Sequence, residues 1–255
     1  MAGQKKDSGK GDSEGGGAGP DTSLSLWQRL EQPAAAPRTS LTLERIGAAA
    51  VEIADAEGFA AVTMRRLATE LGVAPMAAYR HVSGKDDLWA LMAERVATEM
   101  RIPDEVTEWR EVLRAFGLLT RDTMLRHPWV GQLPTRFFVL TPGRLAIAER
   151  QLAALDGLGL DEDAMMVAFR TVSAFAHGAG QSEVALREWT ESAGWSSGDE
   201  TRLGLAPQMM YLMETGRYPT YQRYGRRATR KDDATWAFET GLDCVLDGIA
   251  ARLGI

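Results

Sequence analysis

The stretch TMRRLATELGVAPMAAYRHVSGK, residues Thr63–Lys85, has the pattern of two short helices joined by a tight turn. Leu67 and Leu71 lie four residues apart, so they share one face of the first helix. Gly72 follows where the chain must leave that helix, since glycine adopts positive φ without steric cost. Pro75 suits the first turn of the second helix, where no N–H is needed. This spacing predicts a helix-turn-helix, in which the second helix enters the DNA major groove.

The flanks of this motif carry further helix signals. Thr63 is predicted to cap the first helix, and Ser83 with Asp86 resembles a capping box that opens a later helix. Tyr79 and Val82 are expected to form the inward edge of the second helix. The predicted helices of this region span residues 43–57, 64–71, 75–81 and 85–100.

The sequence ADAEGFAAVTMRRLATELGVAPMAAYRHVSGKDDLWALM resembles the DNA-binding domain of the tetracycline-repressor (TetR) family of transcription regulators, over about Thr42–Met100. The C-terminal run FETGLDCVLDGIAARL resembles the last helix of the tetracycline-repressor-like subgroup. This resemblance implies an all-α protein, with an N-terminal helix-turn-helix head of three helices and a C-terminal helical domain for ligand binding and dimerisation. The expected divisions are a disordered or arm-like extension over 1–37, the head over 38–100 and the second domain over 101–255.

Composition is that of an ordinary globular protein, with 45% hydrophobic and 25% charged residues in a chain of 255. A single cysteine permits no internal disulfide and no thiolate cluster, and the three histidines are far apart in sequence. We therefore predict no metal site and no cofactor. No apolar run approaches the roughly 18 residues of a membrane span, and the N-terminus lacks the apolar segment of a secretory signal. A cytoplasmic protein without membrane contact is expected.

The candidate DNA contacts follow from side-chain chemistry. The formal net charge is −6, yet the helix-turn-helix stretch carries four basic residues against Glu70 alone. Met76, Ala77 and Arg80 are candidates for base contacts, because arginine binds guanine bidentately and an alanine methyl can meet a thymine methyl. We interpret Arg65, Tyr79, His81 and Lys85 as candidates for phosphate contacts. The family resemblance implies such a contact for Tyr79 and Lys85, and a histidine at the position of His81 is typical of the family. The alternatives are packing roles for Tyr79 and His81 and a solvated charge for Arg80. The predicted DNA-binding residues are Arg38, Arg65, Pro75, Met76, Ala77, Tyr79, Arg80, His81 and Lys85.

The N-terminal extension has two interpretations. Residues 1 to about 22 are too polar to bury a core and are predicted to be disordered. SLSLWQRLE, over 23–31, could form a turn or two of helix, and a proline-containing connector follows. The extension is either an unstructured leader or an arm that reaches the minor groove with Arg29 and Arg38.

The remainder of the chain is predicted to be helical, with no strand. Thr141 is expected to cap one helix, Asp161 to open another, and His127-Pro128 to end a third. Loops are expected over 188–200 and 216–231, the second of which is rich in arginine. The inward face of the helix after Asp161 is predicted to consist of Met165, Met166, Phe169, Val172 and Phe175. The predicted helices span about 109–126, 142–158, 161–187, 203–213 and 232–253.

Aromatic and methionine stripes over 109–181 either pack a core or line a ligand cavity, which the family resemblance implies. His127, His177 and Gln181 could supply its polar groups. The predicted ligand-binding residues are Trp109, Phe116, Thr120, Met124, Phe137, Met165, Phe169, His177 and Gln181. Tetracycline-binding members use histidine ligands with magnesium, but those positions do not map onto this sequence.

The last helix carries an apolar stripe formed by Phe238, Leu242, Val245 and Ile249. The resemblance implies that this helix and the one near 163–181 pair with their copies in a four-helix dimer interface. An intrachain core helix is the alternative, and both can hold if the helix has two apolar sides.

The function that the resemblance implies is a repressor that binds a palindromic operator as a homodimer and is released by a small-molecule effector. One alternative is a DNA-binding regulator without such a ligand, whose C-terminal domain serves dimerisation or a protein partner. An enzyme is the other, but the sequence has no nucleophile elbow, phosphate-binding glycine loop or HExxH motif.

Overall fold

The computed structural model describes residues 24–31, 41–138 and 141–255. All regular structure within these ranges is helical, and none of the helices is long and apolar enough to cross a membrane. Short 3-10 segments lie at Phe59–Ala61, Pro128–Gln132 and Thr135–Phe138. The α-helices of the described residues are α1 (Leu26–Glu31), α2 (Leu43–Glu57), α3 (Met64–Leu71), α4 (Pro75–Tyr79), α5 (Lys85–Ala97), α6 (Trp109–Arg126), α7 (Pro142–Leu155), α8 (Glu162–Ser192), α9 (Gly198–Glu214), α10 (Pro219–Arg227) and α11 (Ala234–Leu253).

In the head, which consists of α2 to α5, all four helices begin where the sequence predicts, and α2 and α3 also end there. The Thr63 hydroxyl accepts the Arg66 N–H at 3.2 Å and caps α3. Gly72 adopts the left-handed conformation at φ 66° and ends α3, and Pro75 opens α4. Local capping and turn chemistry therefore fixes the angle between α3 and α4, and the helix-turn-helix prediction is confirmed.

Three predictions in the head are wrong in detail. The side chains of Ala78 and Val82 are fully buried, whereas Tyr79 is exposed, because Tyr79 lies one position round the helix from Ala78. Gly84, not Ser83, precedes the first residue of α5, and the Asp87 carboxylate rather than that of Asp86 accepts the Ser83 N–H at 2.8 Å. Both α4 and α5 are shorter than predicted, ending at Tyr79 and Ala97.

Helix α1 packs on the head rather than extending from it. Leu26, Trp27 and Leu30 contact the apolar core of the head. Arg29 Nη1 donates to the His81 carbonyl at 2.7 Å, and its Nη2 lies 3.3 Å from Asp87 Oδ2. The interpretation of Arg29 as a minor-groove residue is therefore wrong, because its guanidinium is engaged within the protomer. The predicted contact by Arg38 lies outside the described residues.

The second domain is built around α6, which packs against α7, α8 and α11. The Thr141 and Asp161 side chains cap α7 and α8 as predicted, and α6 ends at His127. Gly117 of α6 permits a close approach, since a Cβ there would lie 2.7 Å from Leu242 Cδ2 of α11. The small size of this glycine therefore lets α11 seat its leucine against α6.

The predicted inward face of α8 is confirmed in part. Its fully buried line consists of three small residues and two valines, namely Ala168, Val172, Ala176, Gly180 and Val184. Met165 and Phe175 are partly buried and pack against the core of the second domain, and Met166 and Phe169 are also only partly buried. Hydrophobicity alone favours the large side chains, but close helix packing selects the small ones. The predicted core position Val172 is confirmed.

The two predicted loops are also largely helical. Helix α8 continues to Ser192 and α9 begins at Gly198, so only 193–197 separate them. Helix α10 occupies Pro219–Arg227 within the arginine-rich stretch. Neither α9 nor α10 contains a buried residue. The predicted helix over 203–213 lies within α9, which extends beyond it at both ends.

Candidate functional site

The outer face of α4 is the first candidate surface. The Met76 side chain is 70% exposed and Tyr79 is 43% exposed, although both are apolar or aromatic. Arg80, at the end of α4, is also exposed, and Ala77 is partly exposed. Ala78 and Val82 anchor the opposite side of the segment in the core. The structure thus brings the predicted base-contacting residues together on one accessible face.

Charged groups flank this face. Arg65 of α3 and Lys85 of α5 are exposed on either side of α4, and Pro75 is exposed at its first position. Arg66 instead contacts Glu57 at 2.6 Å and Glu70 at 2.7 Å, and these hydrogen bonds raise the pKa of Arg66 above its usual range. Arg65 and Lys85 therefore remain the cations of this stretch that the sequence assigns to phosphate.

His81 is partly buried between α4 and α5. Its burial, followed by the positive charges of Arg29 and Arg80, lowers the pKa of His81 below its ordinary value. A neutral imidazole still donates one N–H, which suits a hydrogen bond to phosphate but supplies no net charge.

A cavity of about 600 Å³ lies between α6, α7 and α8 of the second domain. Its described lining is mostly apolar, and the Phe116 and Phe169 ring centroids on it are 6.3 Å apart. This volume is that of a small-molecule site. The described lining consists of Phe116, Met124, Val130, Gly131, Leu133, Arg144, Leu145, Ile147, Ala148, Met166, Phe169, Arg170, Ser173, Ala174, His177 and Gln181.

Five of the nine predicted ligand-binding residues line this cavity, and they are Phe116, Met124, Phe169, His177 and Gln181. Thr120 lines a small neighbouring void of about 20 Å³, which shares Met124, Arg144 and His177 with the cavity. The other three lie elsewhere. Trp109 and Met165 pack at the edge of the second domain's core, and Phe137 joins the core of the head beside Trp89. Helical periodicity in the sequence identifies the apolar face of each helix, but it does not identify which other element of the fold packs against that face.

Sequence reasoning missed Arg144, Arg170 and Ser173, which also line the cavity. Arg144 is in the first turn of α7, and its burial lowers the pKa of its guanidinium. A basic residue is disfavoured at a helix N-terminus by the helix dipole, so its position was a detectable signal. The Ser173 hydroxyl and the Thr120 hydroxyl are buried and have no hydrogen-bond partner among the described residues.

The predicted cavity residue His127 instead belongs to the junction between the two domains. Its Nδ1 lies 2.7 Å from Asp55 Oδ1 of α2, and its Nε2 lies 3.1 Å from Glu99 Oε2. Trp129 Nε1 donates to the same Asp55 oxygen at 2.6 Å, and the Trp129 ring stacks on Phe59. The 3-10 segment Pro128–Gln132, part of which lines the cavity, is therefore bonded directly to the head.

The predicted dimer residues do not share one surface. Phe238 and Leu242 are buried inside the protomer against α6 and α8, so the intrachain alternative is correct for them. Val245 and Ile249 border an open groove between α8 and α11. The same groove is lined by Val167, which is 58% exposed, and by Cys244 and Gly248, which are also exposed.

Metal-ligating side chains do not cluster in the described part of the chain, where no group of three or more His, Cys, Asp or Glu residues could hold an ion.

Family comparison covers both domains of the chain. Residues 46–92 match the family described as bacterial regulatory proteins, tetR family, and residues 102–253 match the tetracyclin repressor-like C-terminal domain.

Relatives agree with these matches. The HTH-type transcriptional repressor DrrR1 of Streptomyces coeruleorubidus is 31% identical over 226 residues, covering 88% of this chain and 83% of the relative. ActR of Streptomyces coelicolor, solved in complex with actinorhodin, has a TM-score of 0.65 at 26% identity, covering 83% of this chain and 96% of that one. BioQ, solved with its double-stranded DNA operator, has a TM-score of 0.57 at 25% identity, covering 83% and 99%.

Proposed function

We propose a function from the premise that this chain belongs to the tetR family of bacterial regulatory proteins, which are transcription regulators rather than enzymes. The chain is a repressor that binds a near-palindromic operator as a homodimer. A small molecule that enters the C-terminal cavity releases it from DNA. The working division places the DNA-binding head before about residue 100 and the ligand-binding domain after it.

The observation that carries this proposal is the outer face of α4. Met76 and Arg80 are exposed on a helix whose opposite side is fixed in the core, so they can enter a major groove without local unfolding. Arg80 is assigned to a base edge, and Tyr79 and Lys85 to the phosphates on either side. The solved complex of BioQ with its operator supports DNA binding by a related fold.

Two heads are needed because α4 is only five residues long. One short recognition helix offers few base contacts, whereas two heads about 34–36 Å apart engage successive major grooves. We assign the dimer interface to the groove between α8 and α11, where Val167 and Gly248 are exposed. A two-fold axis through this groove would pack each pair of helices on its copy.

The cavity and the head are linked by the junction at Asp55. A ligand in the cavity contacts Val130, Gly131 and Leu133, and the segment that contains them is bonded to α2 through His127 and Trp129. A ligand that moves this segment also tilts the head and changes the separation of the two heads. DNA and ligand then oppose each other reciprocally, because the coupling free energy is shared by both sites. The ActR complex with actinorhodin supports small-molecule binding in this fold.

Selection of operator fragments tests the proposal. The full chain is mixed with fragments of the genome that encodes it, and the retained fragments are sequenced. We expect one enriched near-palindromic sequence, bound with two protomers or a multiple of two, as measured by native mass spectrometry. Retention of fragments without a common sequence would contradict the proposal.

A matched pair of variants tests the dimer. Val167→Glu places a carboxylate in the α8–α11 groove, where an unpaired charge in an apolar interface is costly. We expect a folded monomer in sedimentation that no longer retains the operator. Leu158→Glu changes another exposed apolar residue outside the groove and should remain a dimer that binds. A Val167→Glu protein that stays dimeric would exclude this interface.

A further inference from the structure

The charge of the cavity wall is unusual for a site that is otherwise apolar. Arg144 of α7 and Arg170 of α8 both line it, and no aspartate or glutamate is among its described lining residues. The nearby carboxylate of Glu94 accepts the Gly143 N–H at 2.8 Å but is not part of the lining. A ligand in this cavity therefore meets positive charge without a competing carboxylate on the described wall.

Arg144 is held in place by its surroundings. Its backbone N–H is bonded to the Thr141 cap at 3.3 Å, and its Nη1 contacts Met100 Sδ at 3.5 Å. Burial is what lowers its pKa, so the guanidinium has lost part of its hydration. An anionic group bound beside it would offset that loss, since charge-assisted hydrogen bonds are stronger away from bulk water.

The rest of the wall defines the ligand's frame. The Phe116 and Phe169 rings and the methionines Met124 and Met166 favour an aromatic or polycyclic body. The Ser173 hydroxyl, which has no hydrogen-bond partner among the described residues, can donate to an oxygen on the ligand. His177 Nδ1 lies 2.9 Å from the Ser173 carbonyl, so Nδ1 carries the proton and Nε2 is the acceptor in the neutral ring.

We propose that the cavity selects an amphipathic aromatic anion, whose carboxylate or equivalent oxyanion binds Arg144 while its rings pack against the wall formed by Phe169 and the methionines. The inference deepens the proposed function, because it names the chemical class of the effector. Arg170 lies at the exposed rim and would attract the anion without fixing it. The planar guanidinium fork can bind a carboxylate or a tetrahedral oxyanion through two parallel hydrogen bonds.

Two fluorescent probes test the proposal on the full chain without DNA. Anilinonaphthalene sulfonate and N-phenylnaphthylamine share an aromatic frame, but only the first carries a negative charge. Arg144→Met should weaken binding of the sulfonate by about tenfold or more and change the neutral probe by less than about threefold. Arg187→Met, which removes an exposed arginine of α8 outside the cavity, should change neither. Ala174→Trp adds an indole to the cavity wall and should weaken the binding of both probes.

Several results would overturn the proposal. They are an equal loss of affinity for both probes in Arg144→Met, an equal loss of sulfonate affinity in Arg187→Met, and unchanged affinity for both probes in Ala174→Trp. A second measurement needs no variant and holds even if Arg144→Met fails to fold. Naphthoate should displace the bound sulfonate from the wild-type chain at least about fivefold better than naphthamide, and equal displacement would overturn the proposal. Operator selection does not depend on either probe. If the probe experiments fail while the chain still binds a selected operator, the proposed ligand class is rejected and the repressor proposal stands.

Discussion

The helix-turn-helix head and the second domain reach their functional surfaces by different routes. In the head, a cap at Thr63, a left-handed Gly72 and Pro75 set the path of the chain within fifteen residues. In the second domain, the cavity is assembled from α6, α7 and α8, whose residues are far apart in sequence. The comparison shows that capping and turn residues close in sequence can position a DNA-binding surface. A ligand site instead depends on which faces of distant helices pack together.

The largest expected effect is a loss of stability on substitution of Leu242. It distinguishes the side of the α8–α11 pair that faces the core from the side that borders the open groove. Leu242 is fully buried against Gly117, so Leu242→Glu would place an unpaired carboxylate in the core. We expect a loss of about 4 kcal/mol or more and a fall of about 10 °C or more in melting temperature. Thermal unfolding followed by circular dichroism measures it, and Val167→Glu on the opposite side should keep the native helical spectrum. A Leu242→Glu monomer as stable as the wild type would show that this leucine faces a partner instead.

The junction between the two regions should give a smaller effect. Asp55→Ala leaves Trp129 Nε1 without its acceptor and His127 Nδ1 without its carboxylate. Leaving buried donors unsatisfied costs about 1–3 kcal/mol, so the free energy of unfolding should fall by that amount in urea. Asp122→Ala removes an exposed partner of Arg126 and serves as the control, with little change expected. Equal stability of the two variants would mean that the junction contributes no more than a surface ion pair.

The smallest stability effect is expected for α1. From the sequence alone, this segment could belong to an unstructured leader or to an arm that contacts DNA. Removal of residues 1–23 should leave the melting temperature unchanged, because that segment is predicted to be disordered. Removal of residues 1–31 should cost about 1–2 kcal/mol, since it also deletes the apolar contacts of Trp27 and its neighbours and the Arg29 bond to the His81 carbonyl. Identical melting of the two truncated proteins would show that α1 does not stabilise the head.

Prediction from sequence succeeds where one residue type has one physical reason to occur. Gly72 and Thr63 illustrate this. Glycine adopts the positive φ that ends α3 without steric cost, and the threonine hydroxyl accepts an N–H at the start of α3 that has no partner within the helix. Prediction fails where packing decides, as at Gly117, whose missing side chain is explained only by Leu242 of a helix more than a hundred residues later.

The candidate sites follow the same division. The exposed face of α4 was predictable from the motif, with Tyr79 the only residue assigned to the wrong side. Arg144 was missed because its partners in the cavity wall come from α6 and α8. Leu242 was assigned to a dimer interface because an apolar stripe on a helix does not reveal whether it meets its own chain or a copy.

The central claim is that the exposed face of α4 reads base edges while its flanks bind phosphate. The most direct measurement is the affinity of Arg80→Ala and Lys85→Ala proteins for the selected operator and for all its single-base variants, at several salt concentrations. Arg80→Ala should lose about 1–3 kcal/mol on the operator and lose discrimination at one base-pair position. Lys85→Ala should lose affinity for every sequence alike and lower the salt slope by about one. An Arg80→Ala protein that weakens equally on every variant would contradict the claim.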